Sequence, residues 1–245
     1  MHLPTCFTKI EEKKKALLAE MKRNGVSKGV VISDSSIESE IGSLRECAEV
    51  FSDNNNIFVV GGISPYFAYD EQLVLLEKYI SEKKVSGIKI YCGHEPIYLD
   101  SEQLRPVYRI AEKYDVPVLF HSGWDNSQYS SPKIIKRAAA LYPKIKFVCC
   151  HCCYPNLAEC FEKLAEFENV CFDLSSAADD PAIYNEVKAA VKNAVRHMPK
   201  RIIFGSDFAG CNQCEHIELF MGLDISDTEK RQLFSENSLR ILSLK

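Results

Sequence analysis

The sequence lacks any long hydrophobic run. Its longest apolar stretches, such as IFVVGGI and KFVCC, are the size of a strand, whereas a membrane span needs about 20 residues. The N-terminus has no apolar stretch typical of a signal peptide, so we predict a cytoplasmic protein with no membrane partner. Acidic and basic residues are interspersed at a formal net charge of −4. Because no basic block is present, we predict no nucleic-acid partner.

A glycine-rich phosphate loop is also missing after every apolar run, which argues against a dinucleotide-binding fold. The runs alternate with helical patterns and recur about every 30 residues, the size of a strand–helix–strand unit. This alternation predicts a parallel sheet in a single domain spanning residues 1–245. The runs are GVVIS (29–33), IFVVGGI (57–63), GIKIY (87–91), VPVLFH (116–121), IKFVCCH (145–151), NVCFDLS (169–175) and RIIFGSD (201–207).

Two architectures remain, a doubly wound open sheet and a closed barrel. A barrel typically has eight strands in about 250 residues, and this chain has 245. The repeat extends backward to a strand near residue zero, so residues 1–3 are predicted to be the end of a strand whose body is absent. We therefore predict a (β/α)8 TIM barrel with strand 1 largely missing at the N-terminus. His2 would lie at the barrel mouth, where barrel enzymes carry their active sites.

Polar residues stand at the ends of three further runs: His121, His151 and Asp207. Histidine and carboxylate are the ligands of zinc and similar divalent ions, so the rim is predicted to bind one divalent metal ion, with zinc favoured. Each residue alone is weak evidence, since a strand-end histidine is more often packed and hydrogen-bonded, and Asp207 could cap the following helix. Their matching positions in one repeat make the combination much stronger.

At these residues the chain resembles the amidohydrolase superfamily, in the branch that includes aminocarboxymuconate semialdehyde decarboxylase. The resemblance covers nearly the whole chain. FGSDF, together with the histidines that end the VLFH and KFVCCH runs, is its specific part. LLAEMKRNGVSKGVVI is similar to the family's first helix and second strand, GIKIY to its fourth strand, FHSGW to its fifth and ENSLRILSL to its closing helix.

The resemblance implies roles for four residues. The family's first strand ends in His-x-His, and MHLP looks like the tail of that motif. His2, His121 and Asp207 would then be metal ligands, and the motif's first histidine would lie upstream of Met1, in a reading frame that starts earlier. His151 would transfer protons, or bind a second metal as in binuclear relatives, and Asp207 would also accept a proton from the nucleophilic water.

Three residues are candidates for substrate binding. Lys89 alternates with Ile88 and Ile90, which lets it point into the barrel. It would either form an internal salt bridge or bind a substrate carboxylate. His94, in the loop after the fourth strand of the barrel, would either contact the substrate or be an exposed loop histidine. Trp124, just past His121, would either form a wall of the pocket or simply cover the barrel mouth.

The cysteines are predicted to be reduced core thiols, the default for a cytosolic chain. If the strand continues through CCHCC, alternation places Cys149 and Cys153 on one face and Cys150 and Cys152 on the other, so the four cannot share an ion. Cys211 and Cys214 form a lone CxxC, which is a weak redox or zinc signal. His197 and His216 are predicted to lie on the surface.

These observations predict a metal-dependent hydrolase that uses an activated water on a small polar substrate, one that carries a carboxylate. A decarboxylase of the same branch is the alternative among enzymes, and a metal-free, non-catalytic binding protein is the alternative from another class. The predicted partner is a small molecule, and a homodimer is left open.

Overall fold

The computed structural model describes residues 1–36, 38–124 and 127–244. In these residues seven strands form one sheet, and strands that are neighbours in the chain are neighbours in the sheet. All six strand pairs are parallel, and the strands coincide with the predicted apolar runs. They are β1 (Gly29–Ile32), β2 (Ile57–Gly62), β3 (Gly87–Ile90), β4 (Val118–His121), β5 (Phe147–Cys150), β6 (Val170–Asp173) and β7 (Ile202–Ile203).

A helix connects each strand to the next, and local signals set where helices begin. In α2, the Ser43 side chain accepts the Glu46 backbone N–H while the Glu46 carboxylate accepts that of Ser43, which satisfies two free donors. Proline occupies the first turn of α4 and of α5, where its missing N–H costs nothing. The helices are α1 (Ile10–Arg23), α2 (Leu44–Val50), α3 (Tyr69–Ser81), α4 (Arg105–Tyr114), α5 (Pro132–Leu141), α6 (Leu157–Leu164), α7 (Tyr184–His197), α8 (Gln213–Met221), α9 (Asp227–Arg231) and α10 (Asn237–Ile241).

Alternation along the strands divides the core into two layers. Ile88 and Phe120 belong to the layer between sheet and helices. The strand side chains that alternate with these, such as Leu119, point into the barrel interior. Ile241 and Leu242, from the last segment of the chain, pack there as well. Among the described helices, none is long and apolar enough to cross a membrane.

The sheet does not close by strand pairing, since within the described residues β1 and β7 are its two edges. The first residues of the chain bridge them. Ile32 donates its backbone N–H to the Met1 carbonyl (2.9 Å), and the His2 N–H donates to the carbonyl of Phe208, which follows β7. Residues 1–2 therefore form the predicted strand end, and the fold is a curled (β/α) barrel that lacks most of one strand.

Beside this bridge the seam between β1 and β7 opens into a cavity of about 430 Å³. Its walls come from both edge strands and from the C-terminal segment. They include Gly29, Val30, Ile203, Gly205, Leu239 and Leu242.

Candidate functional site

The carboxyl ends of the strands gather polar side chains on one rim of the barrel. His121 ends β4, His151 directly follows β5, and Asp173 ends β6. Asp207 follows β7, and His2 lies beside it at the seam, with Nε2 3.4 Å from Asp207 Oδ1. The topology thus brings the predicted histidines and the carboxylate to the same end of the sheet.

The His2–Asp207 pair fits a divalent cation. His2 Nδ1 lies 3.0 Å from the Ile32 carbonyl oxygen, which turns the other ring nitrogen, Nε2, toward the Asp207 carboxylate. Either a proton on Nε2, which makes a hydrogen bond to the carboxylate, or a metal ion in its place can join the two groups. Two ligands at about 2.1 Å from a tetrahedral ion lie about 3.4 Å apart, which equals the observed separation. The carbonyl that orients His2 is a typical outer partner of a metal-binding histidine.

His121 lies near this pair without joining it at ligand distance. In the described residues, no set of three ligand atoms that includes His121 falls within 4.8 Å of one another. Its ring lies 4.2 Å from that of His94 and 4.9 Å from that of His151, between centroids. Burial lowers the pKa of His121 strongly, and the charges of His151 and Lys89 add to the effect. The ring is therefore neutral, which is the form that binds metals.

His151 is oriented by a chain of hydrogen bonds. Ser175 Oγ donates its only proton to Asp173 Oδ2 (2.9 Å), so it accepts from His151 Nδ1 at 2.9 Å. This assigns the proton to Nδ1 and leaves the Nε2 lone pair free. Burial lowers the pKa of His151 to about 4, with opposing contributions from the carboxylates of Asp207 and Asp173. At neutral pH His151 is a neutral, oriented proton acceptor.

Asp207 is held in its ionised form. Burial opposes ionisation, but the hydrogen bond to His2 and the charge of His151 outweigh it and lower the pKa of this carboxyl well below its usual value. Its other oxygen, Oδ2, accepts from Ser176 Oγ at 3.1 Å. The rim therefore pairs a carboxylate with a neutral histidine.

Left-handed backbone accompanies the rim residues. Trp124, His151, Ser176 and Asp207 have φ values of 50°, 66°, 59° and 55°. Each such residue costs about 1–3 kcal/mol and persists only where its surroundings enforce it, which is common at functional sites. Here each of these residues lies within about four residues of the end of the preceding strand.

Lys89 points into the interior, as its alternation predicts, and is 2% exposed. In the described residues it forms no ion pair within 4 Å of a carboxylate, so the predicted salt bridge is not seen there. Its ammonium lies 5.5 Å from the Tyr91 ring centroid and hydrogen-bonds the Cys150 thiol. A buried ammonium without a carboxylate partner is available to an anion.

His94 and Trp124 flank His121 at the rim. The Trp124 ring stacks at 17° to that of His121 with centroids 5.8 Å apart, and Trp124 is 40% exposed. His94 is also exposed. Both rings pack against that of His121.

Sequence reasoning missed the residues that orient the site. Asp173 ends a strand as His121 does, so its position alone could have identified it. Ser175 and Ser122 carry no comparable signal, because their roles depend on turns. Ser122 Oγ donates to the Cys150 carbonyl (2.7 Å) and accepts the Cys153 N–H (2.9 Å), which pins the turn that carries His151.

The expectation that His216 lies on the surface was wrong. His216 is 1% exposed, because its ring hydrogen-bonds Asn212 O and the Ala178 N–H; His197 is exposed as predicted. The strand also stops at Cys150, so alternation does not extend through CCHCC. The CxxC residues have separate partners: Cys211 contacts Ser176 Oγ, and Cys214 contacts Glu218.

Comparison with known sequences assigns the family. Residues 16–244 match the profile of the amidohydrolase family Amidohydro_2, so the chain belongs to that family. No curated protein sequence matches the chain.

Solved structures agree on the fold. A TIM-barrel protein of Bordetella bronchiseptica aligns with a TM-score of 0.80 and 22% identity over 96% of this chain and 84% of its own. A 2,6-dihydroxybenzoate decarboxylase from Rhizobium aligns with 0.71 and 16% over 94% and 88%. A 5-carboxyvanillate decarboxylase from Sphingomonas paucimobilis aligns with 0.68 and 15% over 93% and 82%. At these identities the likeness concerns the fold.

Proposed function

We propose that this chain is a metal-dependent hydrolase of small carboxylate-bearing molecules. The observation that carries the proposal is the rim arrangement. The His2–Asp207 pair fits a cation, and His151 lies on the same rim as an oriented, neutral base. His2 and Asp207 would hold one divalent ion, zinc or a similar metal, with His121 as the third ligand. When bound, such an ion supplies Lewis acidity that activates water and polarises a substrate oxygen.

The chain's own residues supply proton transfer. With Nδ1 donating to Ser175, the free Nε2 of His151 accepts a proton from the attacking water and later returns it to the leaving group. Asp173 positions this ring through Ser175 and stabilises the positive charge that develops on it. Asp207, as a carboxylate, offers a second acceptor on the other side of the rim.

Lys89 supplies the preference for an anionic substrate. Its buried ammonium, free of carboxylate partners among the described residues, would pair with a substrate carboxylate that enters from the rim. A charged hydrogen bond contributes about 1.5–3 kcal/mol. Trp124 and His94 would then cover the apolar part of the substrate.

Decarboxylation of a planar carboxylate is the second candidate. The stacked rings of Trp124 and His121 form a flat wall suited to an aromatic substrate, and two structures with this fold are decarboxylases of aromatic acids. In that reaction His151 Nε2 would first take up a proton from a water molecule and then deliver it to the ring carbon that loses carbon dioxide.

One screen separates the candidates. Protein loaded with Zn²⁺ or Mn²⁺ is offered carboxylate-bearing lactones, with proton release as the readout, and aromatic carboxylates, with carbon dioxide release as the readout. We expect proton release that disappears after chelation. Carbon dioxide release instead would establish the decarboxylase, and neither signal from the metal-loaded protein would refute both.

The substrate carboxylate is tested by Lys89→Met, with exposed Lys15→Met as the matched control. Lys89→Met should raise KM for a carboxylate substrate about 10- to 100-fold and leave that of its neutral amide analogue unchanged. An equal effect on both substrates would contradict a role for Lys89 in binding the carboxylate.

A further inference from the structure

Three cysteine thiols meet outside the rim site, between the end of β5 and helix α6. Cys149 lies in β5, Cys153 in the turn that follows, and Cys160 in α6. Their sulfur atoms all lie within 4.8 Å of one another. Cysteines from three successive elements therefore point to one place.

The turn after β5 creates this meeting point. His151, Cys152 and Cys153 have φ values of 66°, 51° and 55°, which turns the chain back and brings Cys153 beside Cys149. Ser122 Oγ accepts the Cys153 N–H and lies 3.2 Å from Cys149 Sγ, so it holds both ends of the turn.

The spacing suits a metal ion. Sulfurs about 2.3 Å from one tetrahedral zinc lie about 3.8 Å apart, so the three thiols need only small shifts. A cavity of about 150 Å³ is lined by Cys153, Cys160, Trp124 and Glu159. It provides a path for an ion and room for a fourth ligand.

We propose that Cys149, Cys153 and Cys160 bind one thiophilic closed-shell metal ion, Zn²⁺ or Cu⁺, at a second site. Soft thiolate ligands select these ions. Binding replaces the thiol protons, which are released to solvent. The bound ion would link β5 to α6 and stabilise the turn that carries His151.

A second cluster, Asp179, Cys211 and His216, also lies within 4.8 Å but does not support the same conclusion. The Ala178 N–H donates to His216 Nε2 at 3.2 Å, and Nδ1 bonds to the Asn212 carbonyl at 2.9 Å. Both ring nitrogens are therefore already used.

The site is tested with Cd²⁺, which gives an ultraviolet charge-transfer band when thiolates bind it. The wild-type protein should develop this band and saturate at one equivalent. Cys160→Ser should weaken binding more than about 100-fold, because losing even an outer partner of a metal site costs about 10–100-fold. Cys171→Ser, which alters a buried β6 cysteine outside the cluster, should keep the band.

Asp207→Asn should keep the band too, which separates this site from the rim and makes the outcome independent of the proposed function. Displacement of Cd²⁺ by Zn²⁺ or by Cu⁺ identifies the preferred ion, and displacement by neither overturns the proposal. A band that persists in Cys160→Ser also overturns it.

A measurement on the wild-type chain covers the case in which the variant fails to fold. Cd²⁺ should protect Cys149, Cys153 and Cys160 from alkylation, read by mass spectrometry, while exposed Cys6 stays reactive. Unchanged alkylation at all three, or a disulfide among them in the purified protein, would refute the site.

Discussion

Two parts of the rim carry similar residues on different supports. His121 and Asp173 end β4 and β6, and His151 directly follows β5. We call these three residues the strand sector, because each of the three strands is paired with a strand on both sides. His2 and Asp207 lie at the seam, the gap between the edge strands β1 and β7 that backbone hydrogen bonds of residues 1–2 bridge. The sector is therefore ordered by the fold itself, whereas the seam depends on a short bridge and on whatever binds there.

On the proposed function, proton transfer would fall to His151 in the sector, whereas metal binding would rest mainly on the seam, with His121 completing the ligand set. A base needs fixed orientation before the substrate arrives, and the Asp173–Ser175–His151 chain supplies it. A metal site can complete its order when the ion binds, because binding free energy contributes to folding.

Substitutions of His151 and Asp207 should have the largest effects, and they separate proton transfer from metal binding. His151→Asn and Asp207→Asn should each lower kcat/KM about 10³-fold, since acid–base catalysis contributes about 10²–10⁴-fold. Only Asp207→Asn should lose the metal, measured by elemental analysis after dialysis. Asp53→Asn, at a side chain 83% exposed, is the control. Metal loss in His151→Asn, or retained metal in Asp207→Asn, would contradict the division of roles.

Hydrogen exchange compares two adjacent backbone amides at the end of β1, one bonded across the seam and the other bonded within the sheet. The Ile32 N–H bonds to Met1 O at the seam, and the adjacent Ser33 N–H bonds to Val60 O inside the sheet. Because edges open more readily than paired strands, Ile32 should exchange about 10- to 100-fold faster than Ser33 in metal-free protein. Added Zn²⁺ should slow Ile32 more than Ser33. Equal exchange at the two amides would mean that the seam is as stable as the sheet interior.

The sequence predicted what depends on strands and missed what depends on turns. Period-two alternation placed Lys89 inside the barrel and His121 at the rim because strands impose it. It failed beyond Cys150, where left-handed residues replace the strand, so the meeting of Cys149 with Cys160 was not foreseen. His216 was misplaced because the charge of neighbouring residues says little about which face of a helix is buried.

Substitution of Gly205 tests whether Asp173 positions the hydrogen-bond chain of the strand sector. A Cβ on Gly205 would lie 2.0 Å from Asp173 Oδ1, so Gly205→Ala must displace the carboxylate that holds Ser175. We expect a loss of about 1–3 kcal/mol in the free energy of unfolding, measured by urea denaturation, together with reduced kcat. Gly222→Ala, whose nearest neighbour would lie at 3.3 Å, should change neither much. A Gly205→Ala protein with full activity would refute the positioning role of Asp173.

The smallest expected effect is a pH dependence that distinguishes the two regions in metal-free protein. The pKa of His151 falls from 6.5 to about 4 on burial, and that of His121 is lowered as well. Between pH 6.5 and 4, the range set by the two His151 values, the unfolded chain binds more protons than the folded chain. The free energy of unfolding therefore decreases as pH falls through this range. Each such histidine contributes about 1 kcal/mol per pH unit.

Asp207, at the seam, affects the free energy of unfolding at lower pH. The lowered pKa of Asp207 stabilises the fold above the usual aspartate value of about 3.9, and this stabilisation is lost only as pH falls below that value. His151→Gln should therefore flatten the urea-unfolding profile between pH 6.5 and 4, the interval set by the two His151 values. Exposed His197→Gln should leave it unchanged. Because the Asp207 charge raises the pKa of His151, Asp207→Asn should steepen the profile slightly between pH 6.5 and 4 and change it most at lower pH. A profile that Asp207→Asn leaves unchanged at every pH would contradict this electrostatic coupling of the two regions.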